Sequence, residues 1–285
     1  MTGFCFSYRL VPMKELPAHE VYPNAPLEFV ACEVRFPLAP ALGEDTALPS
    51  LHRSFYKWLP IVEPGLETTM IMGPGAAQPP ITTRNVRFVA RDRRFGVLVA
   101  PTQVTVETTA YTRYPEFRAS VERALKAVEA ADVSIPGLAR VGMRYIDEIR
   151  VSEVDERLAD WTGFIDERLS SAATLSLAGR EPSMAQGALQ FELGESQRIV
   201  VRYGAMRGQA VSDAPLRRRR REESGAYFLV DIDSFWTAED GLPEFTTEAT
   251  LALCDRLHEP VWQLFEATVT DRLRDAVLRR ADLHG

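Results

Sequence analysis

The sequence predicts an α+β protein made of two matching halves that share one curved antiparallel sheet, with the helices on one face. Three observations support this prediction. Short runs of alternating apolar and polar residues, typical of half-buried strands, recur along the chain. Longer runs carry apolar residues at helical spacing. The order strand, helix, several strands, helix occurs twice, over residues 20–133 and 134–285, after an N-terminal extension of residues 1–19.

The first half begins with the run EFVACEVRF at 28–36, whose alternation predicts a strand. Residues 48–63 carry apolar side chains at helical spacing and are predicted to form a helix. Strand-like runs follow between residues 85 and 111. The half closes with a predicted helix over 115–131, where Pro115 suits the first helical turn.

The second half repeats this order. A strand is predicted at 138–151 and a helix at 158–169. A long helix is expected from 247 to about 280, and Pro260 should kink it or break it near His258. Strands are also predicted in the runs ATLSLAG, GALQFELG, RIVVRYGAM and AYFLVDIDSFW.

Two resemblances go with this pattern. The element order resembles the saddle of the TATA-box-binding protein, a likeness at the level of the fold that carries little functional weight. The segments YPNAPLEFVACEVRF, RVGMRYIDEI, FLVDIDSF and LHEPVWQLFEATVTDRLRDAV resemble a sporadically distributed family of bacterial proteins without an assigned activity. That resemblance covers roughly residues 20–280, and the family's patchy occurrence implies a role in a defence or toxin–antitoxin-like system.

Composition limits the classes of function. The chain has 285 residues, 46% of them hydrophobic and 26% charged, which is typical of a soluble globular protein, and we expect a cytoplasmic one. No apolar run is long enough for a membrane span, and the N-terminus lacks the pattern of a secretory signal. The three cysteines and four histidines are not at metal-ligand spacing, so no metal or other cofactor is expected.

Strand alternation places many charged residues on the open face, the side of the sheet turned away from the helices. Positive and negative charges are mixed there, which disfavours a DNA-binding saddle because phosphate binding needs uncompensated positive charge. Three alternatives remain: a lattice of ion pairs, a groove for an anionic small molecule or peptide, and an Mg²⁺ site on Asp231 and Asp233. The candidate ligand residues are Arg87, Arg144, Glu148, Arg202, Asp231 and Asp233.

Five consecutive arginines lie between two predicted strands, in a segment rich in glycine, serine and proline that predicts a long loop. A solvated loop tip is the favoured interpretation. The alternative is an electrostatic arm for nucleic acid or an acidic partner protein. The residues concerned are Arg217, Arg218, Arg219, Arg220 and Arg221.

The sequence shows no nucleotide-binding or hydrolase motif, so no catalytic residue is assigned. His258, at an apolar helix position, is interpreted as a core histidine in preference to a general base. The function predicted first is that of a binding protein, with a protein partner or an anionic small ligand, and a homodimer fits this prediction. Nucleic-acid binding through the arginine loop ranks second, and metal-dependent phosphodiester hydrolysis third.

Overall fold

The computed structural model describes residues 20–44, 46–69, 72–73, 76–77, 81–154, 158–212, 215–219 and 225–280. The strands are β1 (Leu27–Arg35), β2 (Ile61–Thr69), β3 (Met72–Gly73), β4 (Ala76–Ala77), β5 (Ile81–Val89), β6 (Phe95–Ala100), β7 (Gln103–Thr108), β8 (Arg140–Ile149), β9 (Ala185–Gly194), β10 (Gln197–Arg207) and β11 (Ala226–Thr237). The α-helices are α1 (Leu48–Phe55), α2 (Tyr114–Glu129), α3 (Glu167–Ser170), α4 (Thr247–Thr268) and α5 (Asp271–Leu273).

Nine of the described strands form one sheet in the order β2-β5-β6-β7-β1-β8-β11-β10-β9, and β3 and β4 pair separately. All neighbours in the large sheet are antiparallel. The strands before residue 133 lie on one side and those after it on the other, so the two sets meet where β1 pairs with β8. The predicted α+β class with a single large antiparallel sheet is confirmed.

Strand alternation separates the two faces of this sheet. On β1, Val30, Cys32 and Val34 are buried on the helix side, the face against which α2 and α4 pack. The sulfur atoms of Cys32 and Cys254 lie 3.5 Å apart, which brings α4 directly onto the centre of the sheet. A single hydrophobic core therefore covers the helix-side face along both halves of the sheet, before and after the β1–β8 pair.

Helix α2 agrees with its predicted range and has Pro115 in its first turn. The predicted helix at 48–63 is shorter, because α1 ends at Phe55 and β2 starts at Ile61. Leu59 is nevertheless fully buried, so its apolar character reflects the core and not the helix. The short α1 leaves room for β2 to form one edge of the sheet.

The predicted helix at 158–169 is wrong. The chain forms a 3₁₀ turn at Leu158–Trp161 and then the one-turn α3, for which Asp166 provides the N-cap. Between them, Gly163 has a φ of 92°, outside the range of a right-handed helix. The run ATLSLAG is likewise not a strand: its first two residues end a 3₁₀ turn at Ser171–Thr174, and Leu177 only forms an isolated bridge with Arg180.

The long C-terminal helix ends earlier than expected, and not at Pro260. Helix α4 continues past Pro260 to Thr268. The backbone is extended at Val269. There the Asp166 N–H donates to the Thr268 carbonyl, and the Thr270 N–H donates to the Phe164 carbonyl. Contacts with the segment around residue 165 thus decide where the helix ends.

Candidate binding site

The open face is a lattice of ion pairs in its central part. The guanidinium of Arg144 donates two hydrogen bonds of 2.8 Å to Asp231. Arg140 donates to Asp233 at 3.0 and 3.1 Å and to Glu33 at 2.6 Å. Each of these carboxylates is therefore held by an arginine of a neighbouring strand.

The six predicted ligand residues do not form one site. Arg202 lies 3.6 Å from Asp231, so it joins Arg144 around the same carboxylate. Asp233 pairs with Arg140 instead, and burial raises the pKa of its carboxyl. Arg87 lies on β5, among the strands on the other side of β1, where it pairs with Glu107, and burial lowers the pKa of its guanidinium.

Glu148, the remaining candidate, is buried and holds the arginine loop onto the sheet. Both Glu148 oxygens accept from Arg218 at 3.0 Å, and one accepts from the Ala210 N–H at 2.7 Å. The Arg218 side chain is only 1% exposed, and its guanidinium lies 3.9 Å from Glu28 on β1. The interpretation of the loop as a solvated tip is therefore wrong for Arg218.

The residues around Arg218 fix the loop further. The Arg217 N–H donates to the Arg93 carbonyl, and the Thr109 hydroxyl donates to the Arg217 carbonyl, each at 2.6 Å. Leu216 is buried against Gly96 on β6. The Arg217 side chain is exposed and that of Arg219 is half-buried, whereas Arg220 and Arg221 lie outside the described residues. The loop thus crosses the open face from the β10–β11 side to the β6–β7 side.

The residues available for a metal site are few. Among the residues that the structure describes, no group of three or more histidine, cysteine, aspartate or glutamate side chains could hold a metal ion. Asp231 and Asp233 are both bound by arginines. The described residues thus give the Mg²⁺ interpretation no support.

A concave site lined by aromatic side chains lies on the helix side. A cavity of about 450 Å³ opens between residues 20–27, residues 111–115, the C-terminal part of β8 and the middle of α4. We call it the aromatic pocket, because six aromatic side chains and one imidazole line it. These residues are Tyr22, Tyr111, Tyr114, Tyr145, Trp262, Phe265 and His258.

A hydrogen-bonded cluster forms one wall of the aromatic pocket. The Tyr145 hydroxyl lies 2.9 Å from Nδ1 of His258, and the ring of Tyr114 stacks on the imidazole with ring centroids 3.9 Å apart. The Tyr114 hydroxyl donates to Asp255 at 2.8 Å, and Arg118 holds the same carboxylate with two hydrogen bonds. The orientation of His258 is thus fixed by groups from β8, α2 and α4.

The pocket phenols are neutral at physiological pH. Burial raises the pKa of Tyr111, Tyr114 and Tyr145 well above the ordinary range of a phenol. Burial also raises the pKa of Tyr22 to about 12, and the hydrogen bond to Glu266 acts in the same direction. These side chains can therefore donate hydrogen bonds, but they do not supply negative charge.

The charged groups of the lining are mostly acidic. Glu20 and Asp147 carry the carboxylates; Asp147 is nearly buried, and Glu20 is paired with Arg279 at 2.8 Å. Among the described residues of the lining, Arg113 is the only cationic side chain, and it donates to Glu116 at 2.7 Å. The pocket is therefore suited to a neutral or positively charged ligand, and not to the anionic ligand that the sequence predicts for the open face.

Sequence reasoning missed this pocket. The helix position of His258 predicts a core histidine, but the side chain is half-buried and lines a cavity. The two tyrosines of YTRYP, at and just before the start of α2, were a local signal of an aromatic site. Their contact with Tyr145 and His258 depends on the pairing of β1 with β8 and on the position of α4, which no local pattern reveals.

A scan against known protein families found no match for this chain, and a search of curated proteins found none either. The family resemblance drawn from the sequence therefore stays a prediction. In the described part of the chain, no helix combines the length and the hydrophobicity needed to cross a membrane.

Proposed function

We propose that the protein is a binding module that takes a small organic cation, of the amine or quaternary ammonium class, in the aromatic pocket. The observation that carries this proposal is the lining itself, in which aromatic rings surround a cavity whose charged groups are mainly acidic. Aromatic faces carry partial negative charge and attract ammonium groups, and the attraction increases when the site is shielded from water.

The size and polarity of the aromatic pocket support the same ligand class. Its volume of about 450 Å³ lies in the usual range for small-molecule sites. Leu27, Val261 and Phe265 offer apolar contact to the body of a ligand. The hydroxyl of Tyr145 and the imidazole of His258 are fixed by each other, which favours binding because little side-chain entropy remains to be lost.

Three probes of nearly the same shape test this proposal. Choline, its neutral analogue 3,3-dimethyl-1-butanol and the anionic 3,3-dimethylbutanoate are each titrated into the protein by isothermal calorimetry. We expect choline to bind about tenfold more tightly than the alcohol, because only the cation gains the attraction to the rings. Equal or tighter binding of either other probe would contradict the proposal.

A matched pair of variants assigns this binding to the aromatic pocket. Trp262→Leu removes an aromatic ring from the lining and should weaken choline binding by about fivefold. Phe235→Leu also replaces an aromatic ring by leucine, but on the open face, where Phe235 packs against Arg140, and it should leave choline binding unchanged.

Nucleic-acid binding through the arginine loop remains the second candidate, favoured by the exposed side chain of Arg217. Its test must spare Arg218, because that residue is held by Glu148 inside the protein. A variant with Arg217→Ser and Arg219→Ser should lose salt-sensitive retardation of labelled RNA. Retardation that is unchanged in this variant, or that is missing in the parent, would remove the candidate.

We also propose that the two halves of the chain are copies of one repeated unit. The strand order is nearly mirrored about the β1–β8 pair, with β7, β6, β5 and β2 on one side and β11, β10 and β9 on the other. This arrangement supports a repeated unit, and the likeness to the TATA-box-binding saddle stays a prediction. The role in a bacterial defence system is likewise a prediction of the family resemblance.

A further inference from the structure

The edge strand β9 exposes apolar side chains along an open backbone edge. Among the described strands β9 pairs only with β10. Leu189 and Phe191 lie opposite Val201 and Ile199, which are buried on the helix side. Yet Leu189 is 39% exposed, Phe191 40% and Leu193 48%. In the described part of the chain, the helix-side face of β9 thus lacks the cover that its neighbour β10 has.

Edge strands usually carry features that prevent pairing with other chains, such as prolines, lysines and inward-pointing charges. The opposite edge strand, β2, contains Pro64 and the charged Glu63. Strand β9 has ten residues, AQGALQFELG, with no proline and no lysine. Its one charged residue, Glu192, is neutralised by Arg198 at 2.8 Å. This edge is therefore open to another strand.

We propose that a second copy of this chain pairs with β9, strand to strand and antiparallel, to form a two-fold dimer with one continuous sheet. The sequence of β9 is self-complementary when the axis passes through Phe191. Leu189 then faces Leu193 of the second copy, and Gln190 faces its Glu192, so no like charges oppose each other. Leu189, Phe191 and Leu193 thus each meet an apolar side chain across the axis.

A second copy fits better than an open chain of copies. A filament would require β9 of one molecule to pair with β2 of the next, and Pro64 removes a backbone donor from β2. Pairing β9 with itself uses the same strand on both molecules and closes after two copies. The dimer also covers the helix-side face of β9, where Leu189, Phe191 and Leu193 are exposed.

Sedimentation equilibrium of the full chain tests this dimer. The parent should have twice the 31.9 kDa mass of one chain. Phe191→Lys should weaken dimerisation by at least about 30-fold, because a central, buried aromatic contact is replaced by a charge. Leu66→Lys, the matched change on edge strand β2, where Leu66 is 71% exposed, should leave the dimer intact.

Leu193→Lys serves as a second variant in case Phe191→Lys does not fold, and circular dichroism of both variants checks the fold. A parent that stays monomeric at 100 µM would overturn the proposal, and so would a dimer that persists in both folded β9 variants. If the parent is monomeric but the β9 amides resist hydrogen exchange, another segment of this chain covers the edge. The proposal does not depend on the aromatic pocket, because β9 contributes no residue to its lining.

Discussion

Arg218 shows that the environment of a residue can differ strongly from the one that its local sequence predicts. It is one of five consecutive arginines, yet its side chain is buried and lies between Glu148 of β8 and Glu28 of β1. A composition-based reading of the run cannot find this, because both carboxylates come from strands more than 60 residues earlier. Its neighbour Arg217, with an exposed side chain, fits the pattern that the run predicts.

Arg218→Met should lower the free energy of unfolding by about 3 kcal/mol, because the buried carboxylate of Glu148 loses one of its two arginines and keeps only Arg150. Chemical denaturation followed by fluorescence measures this change. Arg217→Met is the matched control and should change the stability by less than about 0.5 kcal/mol. Equal stability of the two variants would show that the buried ion pair contributes nothing.

The tyrosines of the aromatic pocket predict a loss of stability at alkaline pH. In the folded chain the pKa of Tyr22 is raised to about 12 from an ordinary value near 10. A raised pKa means that folding favours the protonated phenol, so this contribution is complete below pH 10 and is lost as the pH rises to 12. Unfolding free energies measured at pH 9, 10 and 11 should fall in that order.

Tyr22→Phe provides the control for this pH dependence. The variant keeps the ring but cannot ionise, so its stability should fall less steeply above pH 10 than that of the parent. Tyrosinate absorbance should also rise at higher pH in the folded protein than in the denatured one. A folded chain whose tyrosines all titrate near pH 10 would contradict both expectations.

At the scale of the elements, the sequence predicted β1, α2 and β8 well and the segment 158–180 poorly. The first three have a strong period, because one face of each packs against a large core. The poorly predicted segment buries Trp161, Phe164 and Ile165 in consecutive turns. Its apolar spacing imitates a helix, although Gly163 turns the chain between these residues.

Gly163→Ala should therefore destabilise the protein by about 1–2 kcal/mol, because a side chain is unfavourable at a φ of 92°. Thermal unfolding measures the effect. Ser171→Ala, at an exposed position of the same segment, should have almost no effect. A stability gain in Gly163→Ala would mean that the turn can relax into the helix that the sequence suggests.

At the scale of the whole molecule, strand alternation was sufficient to predict one sheet with a charged open face, but not the site. The sheet depends on the repeated local pattern, which the sequence contains. The aromatic pocket needs four separate segments to meet. The arginine loop needs carboxylates from β1 and β8 and contacts with Arg93 and Thr109. Long-range packing of this kind leaves no periodic signal.

The continuous sheet and the single core predict one cooperative unfolding transition. Since β1 pairs with β8 along nearly its full length, neither side of the sheet can unfold without exposing the edge of the other. Denaturation curves from far-ultraviolet circular dichroism and tryptophan fluorescence should therefore coincide. Two separated transitions would show that the two sides are independently stable.

The neighbouring sulfur atoms of Cys32 and Cys254 have a practical consequence. Both thiols are buried, and their hydrogen bond and burial raise the pKa of Cys32, so neither reacts while α4 lies on β1. A mercury(II) ion binds two thiolates at once, but it can reach this pair only during the moments when the helix lifts from the sheet. The rate of mercury uptake at these two positions thus measures how often the centre of the protein opens.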